Sequence, residues 1–490
     1  MLITEILARN ARVYPEETAL IERDPAQGKR TSITWQVFDQ QADQLAQALM
    51  AKGVAKGDRV AHLMMNCLEW LPIYFGILRT GALAVPLNFR FVAKTIRRCL
   101  KTAQASVLIF GPEFIERIES IKPELDDFVR HYIYVGPDAI CPDYATPKGA
   151  LLTHRCLEAA CIVENHHHRQ IHADNFLCIP PLYHTGAKMH WFGNFIVGAK
   201  AVILKGIEPR WILEAVSEEG VTVVWLLVPW ALDILFAIES GDLKLRDYQL
   251  DQWRLMHIGA QPVPPSLVKE WRRIFPHHQY DTNYGLTEST GPGCVHLGTD
   301  NLHKVGAIGR PGFDWEHLIV DDQLRPLPSG QPGELLVRGP GVMKGYYNNP
   351  DATAETIRGG WLLTGDIAKM DDQGFIWLVD RKKDVIITGG ENVYPVEIED
   401  FLQGHPKIQD VAVIGLPSMR LGEIATAIIK VKPGQELAKE EVRTYCEALP
   451  RYKRPRKIFF DEVPRNPTGK IEKPKLREKY AGARESFRID

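Results

Sequence analysis

The sequence lacks the features that would place the chain in a membrane, in a secretory route or on nucleic acid. Its longest apolar runs, residues 70–78 and 221–230, fall well short of the roughly 18 residues that a spanning helix needs. The first residues form a short amphipathic pattern with an early Glu5, without the basic start and long apolar core of a signal peptide. A net charge of −2 offers no basic surplus for a nucleic-acid partner.

The sequence also lacks paired cysteines. Its eight cysteines are scattered and form no Cys-x-x-Cys pair, which fits a reducing compartment better than a disulfide framework. No internal repeat or low-complexity segment is present. With 45% hydrophobic and 24% charged residues, the composition is that of an ordinary globular protein. We therefore expect a cytoplasmic protein without a transmembrane segment, whose oligomeric state the sequence leaves undetermined.

The hydrophobic pattern alternates between helix and strand periods over most of the chain. At roughly 100–200 residues a domain, 490 residues predict two to four domains. Alternating helices and strands predict an α/β architecture with mostly parallel sheets. The clearest predicted helices are 35–51, 67–80, 211–219 and 265–274, and the clearest predicted strands are 59–64, 82–87, 221–227 and 255–258.

The pattern changes twice towards the C-terminus. Residues 317–338 contain short strands separated by turn residues, which predicts a small antiparallel β unit. Beyond residue 381 a compact pattern of strands and helices begins. The fold class is therefore α/β, with a large multi-subdomain N-terminal region at 1–380 with parallel-rich sheets plus the small β unit, and a small α+β C-terminal domain at 381–490.

The segment Tyr284-Gly-Leu-Thr-Glu-Ser289 carries the clearest chemistry. Thr287 and Glu288 are predicted to leave a short strand on a tight turn. There the hydroxyl can donate to a phosphate oxygen and the carboxylate can hold Mg²⁺. An ordinary strand-to-loop turn explains the same six residues equally well when they are taken alone.

Four further residues are candidates, each with an ordinary structural alternative. Asp366 follows a glycine turn and can accept hydrogen bonds from a ribose diol, or it is simply a turn residue. Arg381 lies in a charge cluster and can contact phosphate or ribose, or it belongs to a solvated linker. Lys470 follows a Thr-Gly turn and can neutralise charge on an α-phosphate, or it is a surface lysine. His184 is expected at a strand end, where ligands gather in α/β sheets, or it is a structural histidine.

Taken together, these segments resemble the adenylate-forming (AMP-binding) superfamily, and within it the acyl-CoA synthetases. The resemblance extends from the first helix to Lys470. It is carried by eight segments in order: Thr-Pro-Lys-Gly at 146–149, Pro-Leu-Tyr-His at 181–184, Tyr-Gly-Leu-Thr-Glu at 284–288, Gly-Glu-Leu-Leu-Val-Arg-Gly at 333–339, Trp-Leu-Leu-Thr-Gly-Asp at 361–366, Asp-Arg-Lys-Lys-Asp at 380–384, Gly-Gly-Glu-Asn-Val-Tyr-Pro at 389–395 and Pro-Thr-Gly-Lys at 467–470.

The resemblance implies a two-step ligase reaction. A carboxylic acid would attack the α-phosphate of ATP to give an acyl-adenylate and diphosphate, and the thiol of coenzyme A would then displace AMP. Because the first step brings two anions together, Lys470 and Mg²⁺ would be needed. The C-terminal domain would be a mobile lid that rotates between the steps about Lys383.

The resemblance also assigns roles to individual residues. His184 would border the acyl and pantetheine passage. At the nucleoside, Gly259, Ala260 and Tyr284 would enclose adenine with Thr282 near its exocyclic amine, and Asp366 and Arg381 would bind ribose. At the phosphates, Thr287 would contact the α-phosphate, Glu288 would hold Mg²⁺, and Thr146 and Lys148 would belong to the phosphate loop. Gly389 and Gly390 would adjoin the pantetheine tunnel, and Lys470 would be catalytic.

The phosphate loop departs from the family pattern. The family has a Ser/Thr/Gly-rich run directly before Pro-Lys-Gly, since backbone N–H groups must surround the β- and γ-phosphates. Here the preceding residues, 141–146, contain no glycine, and a strand leading into the loop is missing. Two explanations stay open. The chain lacks the loop, or a disordered loop has been left out of the sequence, in which case the chain would break between Cys141 and Thr146.

Two pocket positions suggest the class of acid. Trp230 stands where the family lines its acyl site, and Asn283 precedes the adenine-stacking Tyr284. A bulky indole and a polar amide favour a medium-length, cyclic, aromatic or functionalised acid over a very long chain, although both residues equally suit packing. The tract His166-His-His168 is expected on an exposed helix end and is not expected to bind metal.

Two alternatives to the acyl-CoA ligase remain. The chain can form an adenylate and transfer the acyl group to a carrier protein or an amine. If the phosphate loop is truly absent, it can instead be a non-catalytic binding relative.

Overall fold

The structure is a computed structural model that describes residues 1–135, 150–259, 263–388, 391–418, 420–465 and 471–481. Among these, the helices are α1 (Ile3–Val13), α2 (Trp35–Ala51), α3 (Trp70–Arg79), α4 (Ala93–Ala103), α5 (Ile115–Glu119), α6 (Lys122–Leu125), α7 (His154–His168), α8 (Thr185–Phe195), α9 (Pro209–Glu219), α10 (Val228–Glu239), α11 (Pro265–Ile274), α12 (Pro350–Thr356), α13 (Pro395–Gln403), α14 (Lys439–Tyr445) and α15 (Lys473–Lys479).

The strands in the same residues are β1 (Thr18–Asp24), β2 (Lys29–Thr34), β3 (Arg59–Leu63), β4 (Leu83–Pro86), β5 (Val107–Phe110), β6 (His131–Tyr134), β7 (Ala150–Leu151), β8 (Asn175–Cys178), β9 (Lys200–Leu204), β10 (Val223–Leu227), β11 (Leu255–Gly259), β12 (Gln279–Asp281), β13 (Asn283–Leu286), β14 (Gly291–His296), β15 (Arg310–Pro311), β16 (Glu316–Val320), β17 (Gly333–Arg338), β18 (Gly345–Tyr346), β19 (Ile357–Arg358), β20 (Trp361–Met370), β21 (Ile376–Arg381), β22 (Ile386–Thr388), β23 (Glu391–Val393), β24 (Ile408–Ser418), β25 (Gly422–Val431) and β26 (Lys457–Phe460).

Two sheets of mainly parallel strands form the first part of the chain. The larger has seven strands in the order β12-β11-β10-β8-β9-β1-β2, parallel except for the β1–β2 hairpin at one edge. The smaller has the order β4-β3-β5-β6 and is parallel throughout. The predicted α/β class with parallel-rich sheets is confirmed. The hairpin was not predicted.

Local sequence signals explain why the best-predicted helices fall where they do. Helix α2 begins after Thr34, whose hydroxyl accepts the amide of Val37 in an N-cap, and Gly53 follows it with a φ of +80°. Its apolar face supplies Trp35 and Phe38 to the main core, both without solvent exposure. The helix predicted over 67–80 is shorter in the structure, because α3 begins at Trp70.

A region of antiparallel strands follows the large sheet. Strands β16, β17, β20 and β19 pair in that order, and β21 pairs with the later part of β20, residues 366–370. The small antiparallel unit predicted at 317–338 is therefore part of a five-stranded sheet. Its register places Asp366 of β20 opposite Arg381 of β21, which brings two of the predicted nucleotide residues together.

The C-terminal part has a sheet of its own. Strands β23, β22, β25 and β24 pair antiparallel in that order, and β26 lies parallel to β25. Helices α13 and α14 pack on this sheet through Ile398, Leu402 and Val442. This is the predicted α+β pattern. The predicted division after residue 380 falls at the end of β21 and stays a prediction.

Two expectations from the sequence concern a membrane-spanning helix and a break in the chain. In the described residues, no helix combines the length and the apolar character needed to cross a membrane. The predicted chain break between Cys141 and Thr146 lies outside the described residues.

Candidate nucleotide and acyl site

The candidate site lies at the carboxyl ends of the central strands of the large sheet. Strand β11 ends at Gly259, opposite Leu227 at the end of β10. Strand β12 ends at Asp281, and the chain passes through Thr282 into β13. Because side chains and backbone at these strand ends converge, this is where an open α/β sheet binds ligands.

The adenosine end is a set of side chains already paired with one another. The Tyr284 hydroxyl donates to Asp366 Oδ2 at 2.6 Å, and Arg381 Nε forms an ion pair with Asp366 Oδ1 at 2.9 Å. Asp366 is 5% exposed and Tyr284 8%. Each carboxylate oxygen keeps a lone pair for a further donor, so the group can still accept from a ribose diol. Burial, reinforced by Asp366, raises the pKa of Tyr284 well above its ordinary value, so its hydroxyl remains a donor.

Gly259 lies against a tryptophan that the sequence reasoning missed. A Cβ at Gly259 would lie 3.3 Å from Trp225 Nε1, and one at Gly186 would lie 3.1 Å from the same indole. The indole N–H is buried and has no hydrogen-bond partner within the described residues. Its ring stacks on His190 with centroids 4.3 Å apart. Two residues without side chains therefore leave space on either side of Trp225.

Thr282 is buried, and its carbonyl accepts the amide of Leu297 at 3.0 Å. It links the buried Asp281 to β13, two residues before Tyr284, and its role near the adenine amine stays a prediction. Ala260, the predicted neighbour of Gly259, lies outside the described residues.

The phosphate end is built from the short 3-10 turn Thr287–Ser289 that follows β13. Thr287 is exposed, and its hydroxyl lies 3.3 Å from that of Thr185. Glu288 is half-buried, and its Oε1 accepts from the Tyr346 hydroxyl at 2.6 Å. Burial, with Glu288 next, raises the pKa of Tyr346 to about 12.

These residues fit Mg²⁺ and a phosphate chain. A hard cation prefers carboxylate oxygens as ligands. The Glu288 carboxylate still has free lone pairs for a cation after it accepts the hydrogen bond from Tyr346. Strand β18, which carries Tyr346, pairs with β7 directly after the predicted phosphate segment. The predicted loop residues Thr146 and Lys148 lie outside the described residues.

The predicted pocket residues differ in their surroundings. Asn283 Nδ2 donates to Glu164 Oε1 at 2.8 Å, and its Oδ1 lies 3.4 Å from His190 Nε2. Trp230 is 8% exposed and belongs to the main core on α10. His184 is half-buried, and it is the N-cap of α8 rather than a residue at the end of β8 itself.

The segment around the predicted hinge is strongly charged. Lys383 is exposed in the 3-10 turn Lys382–Asp384. Asp380 is buried, and its Oδ2 accepts the amide of Val396 at 2.9 Å at the start of α13. Burial raises the pKa of Asp380 to about 6, against the opposing charge of Lys473.

Three predicted residues of the C-terminal part, Gly389, Gly390 and Lys470, lie outside the described residues. The segment that carries Lys470 is flanked by an antiparallel bridge between Arg465 and Ile471. Arg465 also pairs with Asp410 at 2.7 Å.

The histidine tract does not lie on an exposed helix end, and that expectation was wrong. Only His166 is exposed; His167 is half-buried and stacks on His296 with centroids 4.0 Å apart. His168 is 3% exposed, because the last turn of α7 packs under the large sheet and its imidazole pairs with Asp281 at 2.8 Å.

Comparison with known proteins accounts for this arrangement. Residues 7–139 and 145–347 match the family described as "AMP-binding enzyme", and residues 397–470 match "AMP-binding enzyme C-terminal domain". The chain belongs to the AMP-binding enzyme family. The match is interrupted at residues 140–144, where the sequence departs from the family's phosphate loop.

Similar proteins in this family act on quite different acids. A feruloyl-CoA synthase of Amycolatopsis sp is 33% identical, with 96% of this chain and 98% of that protein covered. A long-chain-fatty-acid–CoA ligase of Mycobacterium tuberculosis is 31% identical, with 97% and 98% covered. A crystal structure of an anthranilate CoA ligase with anthranoyl-AMP superposes with a TM-score of 0.87, at 26% identity, covering 99% of this chain and 98% of that one.

The family assignment establishes the general activity. The relatives are named CoA ligases and synthases, and the chain is an enzyme of the acid–thiol ligase class. ATP and coenzyme A are the co-substrates of such an adenylate-forming ligase. The fold, with its parallel-rich sheet, separate β region and C-terminal domain, is that of the adenylate-forming enzymes.

Proposed function

We propose that the chain joins a carboxylic acid to coenzyme A through an acyl-adenylate. The observation that carries the proposal is the buried Asp366, paired with the buried Tyr284 and with Arg381, next to the turn that holds Thr287 and Glu288. This set offers a ribose acceptor and an aromatic face at one end, with a hydroxyl and a carboxylate at the other. In a family of AMP-binding enzymes, that is the order of groups along a nucleotide.

In the first step, a carboxylate oxygen of the acid attacks the α-phosphorus of ATP, and diphosphate leaves. Thr287 donates to the α-phosphate, and Glu288 would hold Mg²⁺, which would neutralise phosphate charge. The ammonium of Lys470 would stabilise charge on the carboxylate and α-phosphate as they meet. Asp366 and Tyr284 fix the nucleoside so that the α-phosphorus faces the acid.

In the second step, the sulfur of the coenzyme A thiol attacks the acyl carbon, AMP leaves with the electrons of the broken C–O bond, and the thiol proton passes to solvent. His184, half-buried at the start of α8, would border the passage for both acid and pantetheine. Gly389 and Gly390 would line the pantetheine tunnel after rotation of the C-terminal domain about Lys383.

A two-part assay tests the reaction. The full chain is given ATP, Mg²⁺ and a panel of acids, and exchange of labelled diphosphate into ATP is measured first without coenzyme A. Coenzyme A is then added and thioester is measured. We expect acid-dependent exchange without coenzyme A, and thioester only with it. Exchange without any thioester would instead favour transfer to a carrier protein or an amine.

The phosphate loop decides between an active ligase and a binding relative. A variant with a Ser/Thr/Gly-rich segment inserted between Ala145 and Thr146 provides the comparison. If the chain lacks the loop, the insertion should raise exchange by about 10²-fold or more, since single phosphate donors contribute that much to rate. An active parent chain that loses exchange on insertion would rule out the non-catalytic binding relative.

For the acid, we propose a medium-length cyclic, aromatic or functionalised substrate. Trp225 in the middle of β10 and Trp230 in the first turn of α10 are both buried, and the Asn283 amide is held by Glu164 and His190. Bulky rings leave little room for a long chain. The names of the feruloyl-CoA synthase and the anthranilate ligase are in line with this class, whereas the long-chain ligase is not.

A panel of acetate, octanoate, palmitate, benzoate and ferulate tests the substrate class. We expect kcat/KM to be at least about tenfold higher for benzoate or ferulate than for palmitate, since a clash of one or two methylenes already costs that much. Clear preference for palmitate would refute the proposed class without touching the ligase reaction.

A further inference from the structure

A buried cluster of histidines and carboxylates lies directly behind the candidate acyl site. Helix α7 contributes Glu164 and His168 one turn apart, and β11 contributes His257. One ligand atom from each of these three residues lies within 4.8 Å of the others. All three side chains are nearly inaccessible, with exposures of 0%, 3% and 1%.

One atom of this cluster has no partner that explains its burial. His257 Nε2 is buried and makes no hydrogen bond within the described part of the chain, whereas Glu164 Oε2 forms an ion pair with His168 Nδ1. An unpaired buried imidazole nitrogen is costly, and such groups are rare in stable proteins. The other Glu164 oxygen is fixed by Asn283 Nδ2 at 2.8 Å, so Oε2 is the one that faces the cluster.

The separation of His168 Nδ1 and Glu164 Oε2 is 3.3 Å. Two ligands about 2.0–2.1 Å from one ion in tetrahedral geometry lie about 3.3–3.4 Å apart. This pair therefore already has the spacing of one edge of a tetrahedral zinc site. His257 offers a third ligand atom within 4.8 Å of the other two.

The opposite nitrogen of His168 is held in the way that metal-ligating histidines usually are. His168 Nε2 lies 2.8 Å from Asp281 Oδ2, which fixes the ring and directs Nδ1 towards Glu164. Asp281 is itself held by the amides of Thr282 and Gly298, both at 2.8 Å, and by His296 at 3.0 Å. A carboxylate behind a ligating histidine orients the imidazole and increases its basicity.

We propose that Glu164, His168 and His257 bind a zinc ion, with Asp281 as the positioning carboxylate behind His168. A His₂Glu set suits Zn²⁺ better than Mg²⁺, because imidazole favours transition metals and Mg²⁺ favours oxygen. A second grouping, His168 with Asp281 and His296, also has ligand spacing. There, however, the two imidazoles already pair with one Asp281 oxygen, so the three groups satisfy one another without an ion.

The ion would tie α7 to the end of β11, next to the elements that carry the nucleotide residues. Glu164 also holds Asn283, which precedes Tyr284 on β13. Zinc binding would therefore fix one wall of the proposed acyl site. Three protein ligands leave a fourth position, which an open site keeps for water or another ligand.

The test uses the full chain, dialysed against a chelator and without nucleotide. Zn²⁺ alone is titrated by calorimetry, and Co²⁺ is titrated with absorption in the visible range, where tetrahedral Co²⁺ is strongly coloured. The variants are Glu164→Gln, His257→Asn and Asp281→Asn. The matched control is His166→Asn, the exposed member of the same tract.

We expect one Zn²⁺ per chain in the parent protein and in His166→Asn, with tetrahedral Co²⁺ bands in both. Affinity should fall at least about 100-fold in Glu164→Gln and His257→Asn, and about 10–100-fold in Asp281→Asn. Circular dichroism and thermal melts establish that each variant folds. If a variant does not fold, the Co²⁺ spectrum of the parent protein still decides.

Three results would overturn the proposal. The first is that the parent protein takes up no Zn²⁺ and shows no tetrahedral Co²⁺ bands, which would mean that His168 holds only a proton between the two carboxylates. The second is that the folded His257→Asn and Glu164→Gln variants bind Zn²⁺ as tightly as the parent protein. The third is that His166→Asn loses Zn²⁺ binding along with them, which would place the ion on the surface of the tract.

Discussion

The two ends of the candidate nucleotide site differ in how they are held. At the adenosine end, Tyr284, Asp366 and Arg381 come from three strands, and both Tyr284 and Arg381 already pair with Asp366, which is buried together with Tyr284. At the phosphate end, Thr287 is exposed on a short turn, and the Glu288 carboxylate accepts from Tyr346 alone among the residues that the structure describes. The adenosine end is therefore preorganised, whereas the phosphate end needs further groups to surround its ligand.

This difference carries over to catalysis. The nucleoside changes little between substrate and transition state, so contacts to it contribute uniform binding and act on KM. The α-phosphate changes charge and geometry, so contacts to it act on kcat. Variants at the adenosine end should therefore change the KM for ATP, and variants at the phosphate end should change kcat. A variant at one end with the effect expected at the other end would contradict the comparison.

The largest effect is expected for Lys470→Ala. Removing the one cation proposed to meet both anions should lower adenylation about 10³-fold. Thioester formation from a synthetic acyl-adenylate should fall less than about threefold, because that step does not form the anionic pair. Diphosphate exchange and thioester release measure the two steps separately.

The matched control for this variant is Lys475→Ala, an exposed lysine paired with Glu472. Equal loss in both half-reactions would contradict the assigned role of Lys470.

The next effect is expected for Glu288→Gln. Loss of the anionic ligand should lower kcat about 10²-fold and raise the Mg²⁺ concentration needed for half-maximal rate, with little change in the KM for ATP. Initial rates across a Mg²⁺ series measure both. Glu355→Gln, on the exposed face of α12, is the control. A rise in the KM for ATP alone would move Glu288 into the binding class.

A third effect is expected for Asp366→Asn. The carboxylate accepts from Tyr284 and pairs with Arg381, and a charged hydrogen bond contributes about 1.5–3 kcal/mol. The KM for ATP should rise about 10–100-fold while kcat changes little. Steady-state rates over ATP measure the split, and Asp372→Asn in an exposed turn is the control. A fall in kcat with an unchanged KM would refute the binding role.

The smallest kinetic effect is expected for Tyr284→Phe. The ring is kept and one hydroxyl donor is lost, which is about 1 kcal/mol, or roughly fivefold in the KM for ATP. ATP saturation curves are compared with those of Tyr452→Phe, whose ring is 44% exposed. An effect as large as that of Asp366→Asn would mean that the hydroxyl, rather than the carboxylate, makes the main ribose contact.

Local sequence signals were enough to predict most of the fold. Helix α11 matches its prediction from Pro265 to Ile274, since an amphipathic period and a proline start are both local. Tyr284, Asp366 and Arg381 were also predicted together, although only through the resemblance. The register that places Asp366 opposite Arg381 depends on strand pairing over 15 residues and is visible only in the sheet.

The buried cluster behind the acyl site could not be predicted in the same way. Its members lie on α7, β11 and β12, up to 117 residues apart, and their partnership depends on tertiary packing. One local signal was available. His257 interrupts the otherwise apolar strand Leu255–Gly259, and a polar side chain inside a parallel strand needs a buried partner. The contiguous tract 166–168 was more conspicuous, but only its last residue joins the cluster.

The bond between Asp380 and the amide of Val396 crosses the proposed hinge at Lys383. Rotation about that hinge would break the bond and return the carboxylate to water, where its pKa falls from about 6 to about 3.9. Domain rotation would then release a proton at mildly acidic pH. The arrangement in which Asp380 binds the Val396 amide should therefore gain stability as the pH falls from about 6 towards about 4. The charged groups that face Asp380 there are Lys473, Glu399 and Asp400.

Proton release on adding nucleotide, measured in weak buffer at pH 5 to 7 and compared with Asp380→Asn, would detect this coupling. An identical signal in the variant would assign the proton elsewhere. Because the pKa of Asp380 is about 6 while its bond to Val396 is intact, this exchange would make the balance between the two domain arrangements sensitive to acidity between about pH 4 and 6.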